Sequence, residues 1–313
     1  MLNHQQLKEI LTSELNKTKK DGEALLTVEE LSDFLEVYQG EDRIVRSDEI
    51  EALIEKEGIR QPIKTGFQDL DNLIGGFYEE QVVVISARPK SGKSSFMLYL
   101  ADKLKEQNPL ILALEQSSRE LIEQLKEQDR RIPLFYTPKS IEGVSRTTDW
   151  IHLKAIESQY RSQKDGGVPS RVVFIDHFGY ITRKRQTSDQ MTWEIINTMQ
   201  ELKAIAKQTK TTIVVVVHTT KGDPTEPPTT EHLFGSGGYH QEADTIISLW
   251  RETYKENKRL IQTKNVLLQV LANRKKGTTG AVKLTFDEGD FKVNNWKGHD
   301  QDSDVVDKEF DDF

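Results

Sequence analysis

The chain has 313 residues, 35% of them hydrophobic and 30% charged, with a formal net charge of −8 and no cysteine. That length suits one large α/β domain with a smaller appendage, and the missing thiols exclude disulfides, iron–sulfur clusters and thiolate zinc sites. No apolar run is longer than Ile213 to Val217, and MLNHQQLKEI has neither an apolar signal core nor an Arg-rich presequence, so a cytoplasmic protein without membrane contact is expected.

Residues 1–60 read as helical. Thr27 and Glu30 form a capping box ahead of the stripe Val28, Leu31, Leu35 and Tyr38, which Gly40 closes. Ser47 is placed to cap a second short helix whose Ile50, Leu53 and Ile54 would dock on another surface. From Gly66 onward apolar runs rich in β-branched residues alternate with helical stretches. The runs are 81–86, 110–115, 171–176, 212–217 and 244–249; the helices are 94–105, 118–127, 148–163 and 188–208. This alternation predicts a mostly parallel sheet covered on both faces. Residues 266–293 alternate in period two and predict closing antiparallel strands. From Asp300 to Phe313 seven acids face one lysine, a local −6, so residues 1–299 carry only −2. An acidic balance of that kind does not exclude nucleic-acid binding, because cations can still line one channel. The expected organisation is a helical region or docking arm over 1–60, a catalytic α/β domain over 61–297 and a disordered acidic tail over 298–313.

Ala87-Arg88-Pro89-Lys90-Ser91-Gly92-Lys93-Ser94 follows a strand and opens a helix, the setting a phosphate cradle needs. Backbone N–H groups there face an anion. Lys93 would reach the β- and γ-phosphates, Ser94 would hold Mg²⁺, and Gly92 would let the backbone come close. Ser95 continues the helix. Ala87 stands where the general motif has glycine.

Three further strand ends carry polar groups. Asp176 closes Val172-Val173-Phe174-Ile175 and can orient the shell of a Mg²⁺ ion. Glu115, at the end of the strand after the phosphate-loop helix, can polarise an attacking water. His218 directly follows Val214–Val217 and can hydrogen-bond a γ-phosphate. Arg274 stands beside a tight glycine turn, as either a basic hairpin tip or a cation for a neighbouring subunit's site.

These motifs in this order resemble the DnaB-type ring helicases, most nearly the branch of mitochondrial Twinkle and phage helicase–primase proteins. The blocks that carry the resemblance span roughly 62–293. They are Thr65-Gly66-Phe67 with Leu70-Asp71 and Gly75-Gly76, ARPKSGKSS at 87–95, LALEQS at 112–117, FIDH at 174–177, VVVVH at 214–218, FGSGGYHQEADTIISLWR at 234–251 and NRKKGTTGAVKLTF at 273–286. The Ala-Arg-Pro opening is itself a mark of that family. The resemblance implies a RecA-like core that binds ATP or another NTP with Mg²⁺ and assembles into a homo-oligomeric ring, most simply a hexamer, on single-stranded DNA. It assigns His218 and Gln241 to the network that senses the γ-phosphate and Arg274 to a trans arginine finger. Arg251 and Phe286 would sandwich the base. The loops after Asp176 and His218 would face DNA, with Arg183, Lys184, Arg185 and Lys221 as phosphate contacts.

Two departures stand out. Where the family has Lys-x-Arg before its glycine turn, this chain reads Asn273-Arg274-Lys275, so the finger register could slip by one. No primase domain is expected either, since the chain is short and has no cysteine for a zinc-binding one. The acidic tail, with Phe310 and Phe313 among its acids, is expected to recruit a polymerase, primase or loader. The competing expectations are a RecA-like recombinase that forms filaments and a regulatory ATPase indifferent to DNA. The Ala-Arg-Pro loop and the Gly235–Arg251 tract argue against the recombinase.

Overall fold

The computed structural model describes residues 46–58, 61–137, 146–164, 166–181, 188–219, 222–232 and 236–296. The helix expected over Thr27–Gly40 and the acidic tail lie outside them. The chain divides into two units, Met1–Arg60 and Gln61–Phe313. The first contributes α1 (Ser47–Glu57), whose N-cap is Arg46 rather than the expected Ser47. Arg46 supplies no side-chain cap, its guanidinium pairing instead with Asp48 at 3.0 Å. Ile50, Leu53 and Ile54 are exposed on this helix.

In the second unit the elements follow in the order α2 (Gln68–Ile74), β1 (Val82–Ala87), α3 (Lys93–Lys103), β2 (Leu110–Ala113), α4 (Ser118–Glu127), β3 (Leu134–Tyr136), α5 (Thr148–Lys164), β4 (Val172–Asp176), α6 (Ser188–Thr209), β5 (Thr212–His218), α7 (Ser236–Glu242), β6 (Thr245–Glu256), β7 (Arg259–Asn273), β8 (Gly280–Asp287) and β9 (Asp290–Val293). They build one nine-stranded sheet of order β3-β2-β4-β5-β1-β6-β7-β8-β9. The pairings from β3 across to β6 are parallel and those from β6 to β9 antiparallel.

Burial follows from this arrangement. Every residue of β1, β2 and β4 is buried, as expected of strands covered on both faces. Successive side chains of β1 point to opposite sides, so Val83 and Ile85 join one core and Val82 and Val84 the other. The first core takes Phe96, Met97 and Leu100 from α3; the second takes Ile195, Met199, Leu202 and Ile205 from α6.

The antiparallel part closes through two-residue turns at Asn257-Lys258 and Glu288-Gly289, all four residues at positive φ, as type I′ hairpins require. β6 therefore extends to Glu256, beyond the expected Leu249. Its outer half is polar and pairs with β7; Arg251, Glu252 and Thr253 are buried there, and only Lys255 and Glu256 are exposed. The sequence patterns did not announce α2, β3 or α7, each of seven residues or fewer. α7 lies close on α6: a Cβ at Gly238 would stand 2.7 Å from Ile195 Cγ2, which explains a glycine in that tract.

Candidate functional site

The phosphate loop begins where β1 ends. Ala87 is a strand residue, fully buried and in register with His218 on one side and Leu249 on the other, so it needs neither the freedom nor the small volume of glycine. Gly92 takes the left-handed conformation at φ 87 and is the N-cap of α3. No side chain caps that helix and its first turn holds no acid. Its leading N–H groups are therefore open to an anion. Lys93, the first helical residue, is buried, and its Nζ lies 3.9 Å from Glu115 Oε2. Pro89 and Lys90 are exposed, Ser91 is buried, and Ser94 and Ser95 are half-buried on the first turn, Ser95 Oγ accepting a hydrogen bond from Gln124 Nε2 at 3.5 Å. Arg88 turns to the loop after β5, its Nη2 donating to Asp223 O at 2.7 Å.

Strands β2, β4, β5 and β1 are consecutive neighbours, so their C-terminal ends share one edge. Ala113 pairs with Asp176, Leu114 N donates to Asp176 O at 2.7 Å, and Thr219 N donates to Ala87 O at 3.0 Å. Glu115 lies two residues past its strand rather than ending it, and its side chain is 42% exposed. Burial raises the Asp176 carboxyl above the ordinary aspartate range, opposed by a hydrogen bond from Ser94 and by the Lys93 charge. Its Oδ1 is buried without a hydrogen-bond partner. The pair Ser94 and Asp176 thus fits a divalent cation, whose charge would satisfy both the orphaned oxygen and the buried carboxylate.

His218 is pushed down to about 4, first by burial and then by the positive charge of Lys93 and the neighbouring His177. Its Nδ1 is also buried without a partner. The other charged groups facing it are Glu115 and Asp176, which act in the opposite direction. A folded-state pKa below the ordinary 6.5 means that the unfolded chain takes up the proton first as pH falls. Stability is therefore intact above pH 6.5 and drains as pH falls toward about 4. Asp176, shifted upward, contributes with the opposite sign, so the informative quantity is the difference between the unaltered chain and His218→Gln. Thermal melts across that window, without nucleotide or magnesium, should show a smaller acid loss in the variant; parallel curves would refute the shift.

Sequence reasoning did not single out His177. Its ring packs edge-on against His218 with centroids 4.6 Å apart, and the Asp176–His177 peptide bond is cis. Ligand atoms of Glu115, His177 and His218 lie within 4.8 Å of one another. A metal-bound histidine donates through its other ring nitrogen. Here Nδ1 of His177 instead accepts the Gly179 N–H at 2.9 Å, which leaves Nε2 protonated and makes the ring a donor rather than a ligand.

Arg251 and Phe286 do come together. The guanidinium lies 5.1 Å from the Phe286 ring centroid, and that ring borders Gly92 of the phosphate loop. Arg251 is buried and its Nε donates to Thr263 O at 2.6 Å. The two side chains stack directly on each other, so a base between them would require them to part.

Gln241 is exposed on α7, one residue before Glu242 and three before Asp244. Asp244 Oδ2 accepts Val82 N at the start of β1, the end of that strand away from the phosphate loop. The described contacts do not bring Gln241 to the loop. Arg274 is at the same end, its N–H donating to Asp244 O at 2.8 Å. The length of β1, about 16 Å at the usual rise, separates it from its own phosphate loop. The hairpin around Arg274 is pinned: Lys275 lies 3.2 Å from the Tyr78 ring centroid, Lys276 donates to Asn72 O, and Asn273 donates to Leu73 O. Arg274 is exposed with no side-chain partner among the described residues, whereas Lys275 lies over Tyr78. Arg183, Lys184, Arg185 and Lys221 lie outside the described residues.

Residues 62–154 and 141–295 match the family described as DnaB-like helicase C terminal domain. Replicative DNA helicase DnaC of Bacillus subtilis is 24% identical over 265 residues, covering 76% of this chain and 58% of that protein. Replicative DNA helicase DnaB of Leifsonia xyli is 28% identical over 273 residues, covering 77% of this chain and 58% of that protein. The chain thus spans a little over half the length of these relatives. Among solved structures, the ATPase domain of G40P aligns with TM-score 0.61 at 21% identity, covering 82% of this chain and 100% of that one. A DnaB-like replicative helicase, studied with its interactions with primase, aligns with TM-score 0.58 at 18% identity, covering 91% and 76%. The structural likeness establishes the RecA-like fold, and the match across the catalytic edge and both hairpins places this chain in the family of DnaB-like helicase C-terminal domains.

Proposed function

We propose that this chain is the motor of an ATP-dependent replicative DNA helicase, a ring-forming translocase that moves on single-stranded DNA by hydrolysing NTP at subunit interfaces. The convergence of Lys93, Glu115, Asp176 and His218 at one sheet edge, beside an uncapped helix, carries the reading. Lys93 and the α3 amides would bind the phosphates, Glu115 would polarise the attacking water, and His218 would hydrogen-bond the γ-phosphate. Magnesium, held through Ser94 and Asp176, would neutralise charge that develops on the phosphate oxygens. Arg251 and Phe286 would flank the base once they part, and Gln241 would join the γ-phosphate network only across a subunit boundary.

A ring explains two further features. Arg274 stands too far from its own phosphate loop and suits a neighbour's. α5 exposes Leu153, Ile156 and Tyr160 along one side and α1 exposes Ile50, Leu53 and Ile54, apolar stripes that a second copy would cover. The arm over 1–60, the domain over 61–297 and the tail over 298–313 divide the work into subunit docking, catalysis and recruitment of a polymerase, primase or loader. The quoted sequence blocks support the branch of Twinkle and the phage helicase–primases. No helix among the described residues is long and apolar enough to cross a membrane.

The loops after β4 and β5 both leave the catalytic edge, and Arg183, Lys184, Arg185 and Lys221 would meet DNA phosphates there. Removing each of these charges should weaken DNA binding without sequence preference and flatten its salt dependence by about one unit of slope per lost contact. The decisive experiment is the NTP hydrolysis rate with and without single-stranded DNA, together with particle images. Stimulation and closed rings are expected. Hydrolysis indifferent to DNA would point to a regulatory ATPase, and filaments to a recombinase.

A further inference from the structure

We propose that His177 is a positioning residue that ties the loop after β4 to the Glu115 carboxylate, so that a strand held by that loop sets the rate of hydrolysis. The inference rests on the motor reading above and names its regulation.

Glu115 has one ion-pair partner among the described residues, Lys93 at 3.9 Å. An arriving γ-phosphate would take Lys93 for itself and leave the carboxylate without a fixed neighbour. His177 is placed to supply one. Its Nδ1 is occupied by the Gly179 N–H at 2.9 Å, so the neutral ring carries its proton on Nε2. A ring nitrogen of His177, one of His218 and a Glu115 oxygen lie within 4.8 Å. That is the reach of a direct hydrogen bond after a small rotation, or of a bond through one water.

The other end of the connection is the loop itself. Gly179, which holds the ring, lies in the 3-10 turn Phe178–Tyr180 that opens the loop. The His177 ring contacts both Tyr180, with centroids 4.9 Å apart, and His218, at 4.6 Å. Tyr180 is 38% exposed, a surface on which an unpaired base can stack. A shift of the turn moves the Gly179 N–H, turns the imidazole and redirects its donor toward or away from Glu115. Contact with His218 joins the root of the second loop to the same group.

Two substitutions separate this role from a structural one. In His177→Asn the carboxamide can reach the Nδ1 position and keep the Gly179 bond, but nothing stands at Nε2. In His177→Gln the longer carboxamide restores a donor near Nε2. ATP hydrolysis by the full chain is measured with and without an oligo-dT strand. For His177→Asn an unchanged KM and a loss of about tenfold in DNA-stimulated kcat are expected, with most of that loss recovered in His177→Gln. Normal stimulation of both variants, or equal impairment of both with raised KM, would overturn the proposal while leaving the motor reading intact. An unaltered chain that hydrolyses no nucleotide, or ignores DNA, would overturn that reading and the proposal with it.

Discussion

Lys93→Ala is expected to abolish hydrolysis and weaken nucleotide binding at least about tenfold, from the loss of a charge-assisted hydrogen bond worth about 1.5–3 kcal/mol. Lys93 is buried at the first position of α3, with its Nζ 3.9 Å from Glu115 Oε2. Its partner Glu115 is 42% exposed and stays solvated when Lys93 is removed, so the variant should fold. Glu115→Gln should behave differently. The amide keeps the shape of the carboxylate but cannot polarise water, and hydrolysis should fall by about 10²–10⁴-fold. Nucleotide affinity should hold or rise, because Lys93 no longer exchanges a carboxylate for a phosphate. Fluorescent-nucleotide titration beside a phosphate-release assay measures both quantities. Equal loss of affinity in the two variants would remove Glu115 from the role of base.

Arg274→Ala should fold, bind nucleotide and lose about 10³–10⁵-fold in kcat, the usual contribution of an arginine finger. The side chain is exposed and its hairpin is held by Asn273, Lys275, Lys276 and Thr278, so its removal leaves the turn anchored. Because β1 separates it from its own phosphate loop, the loss should be complementable between subunits. Mixing Arg274→Ala with Lys93→Ala chains creates some interfaces that pair an intact loop with an intact finger. Activity should pass through a maximum with mixing ratio. Mixed rings that show no recovery at any ratio would place Arg274 outside a trans role, and Lys275→Ala with the larger defect would move the finger one residue along.

The phosphate loop was legible because its physics is local: a buried strand, a left-handed glycine and a helix with open amides occupy Val82 to Lys103 without a break. The parallel strands were legible for a similar reason, since a strand covered on both faces is apolar at every position. Asp176 and His218 could be read as polar residues terminating such strands. Their meeting with Lys93 depends on the order β2-β4-β5-β1, which follows from long-range pairing. His177 shows the limit most sharply. A histidine after a strand-end acid has no periodicity or spacing to mark it; its tautomer is set by Gly179 two residues on, and its significance by His218 some forty residues away. The choice between Arg274 and Lys275 was open in one dimension because both are cations beside a glycine turn. Tertiary structure distinguishes the two, since Lys275 lies over the Tyr78 ring and Arg274 is exposed, and the mixing experiment tests which one acts. Likewise α7, β3 and the polar half of β6 were hidden, since each is stabilised by the element beside it rather than by a pattern of its own. Sequence alone determined the chemistry available at each strand end; only tertiary structure decided which groups share an edge, because that depends on contacts between residues far apart in the chain.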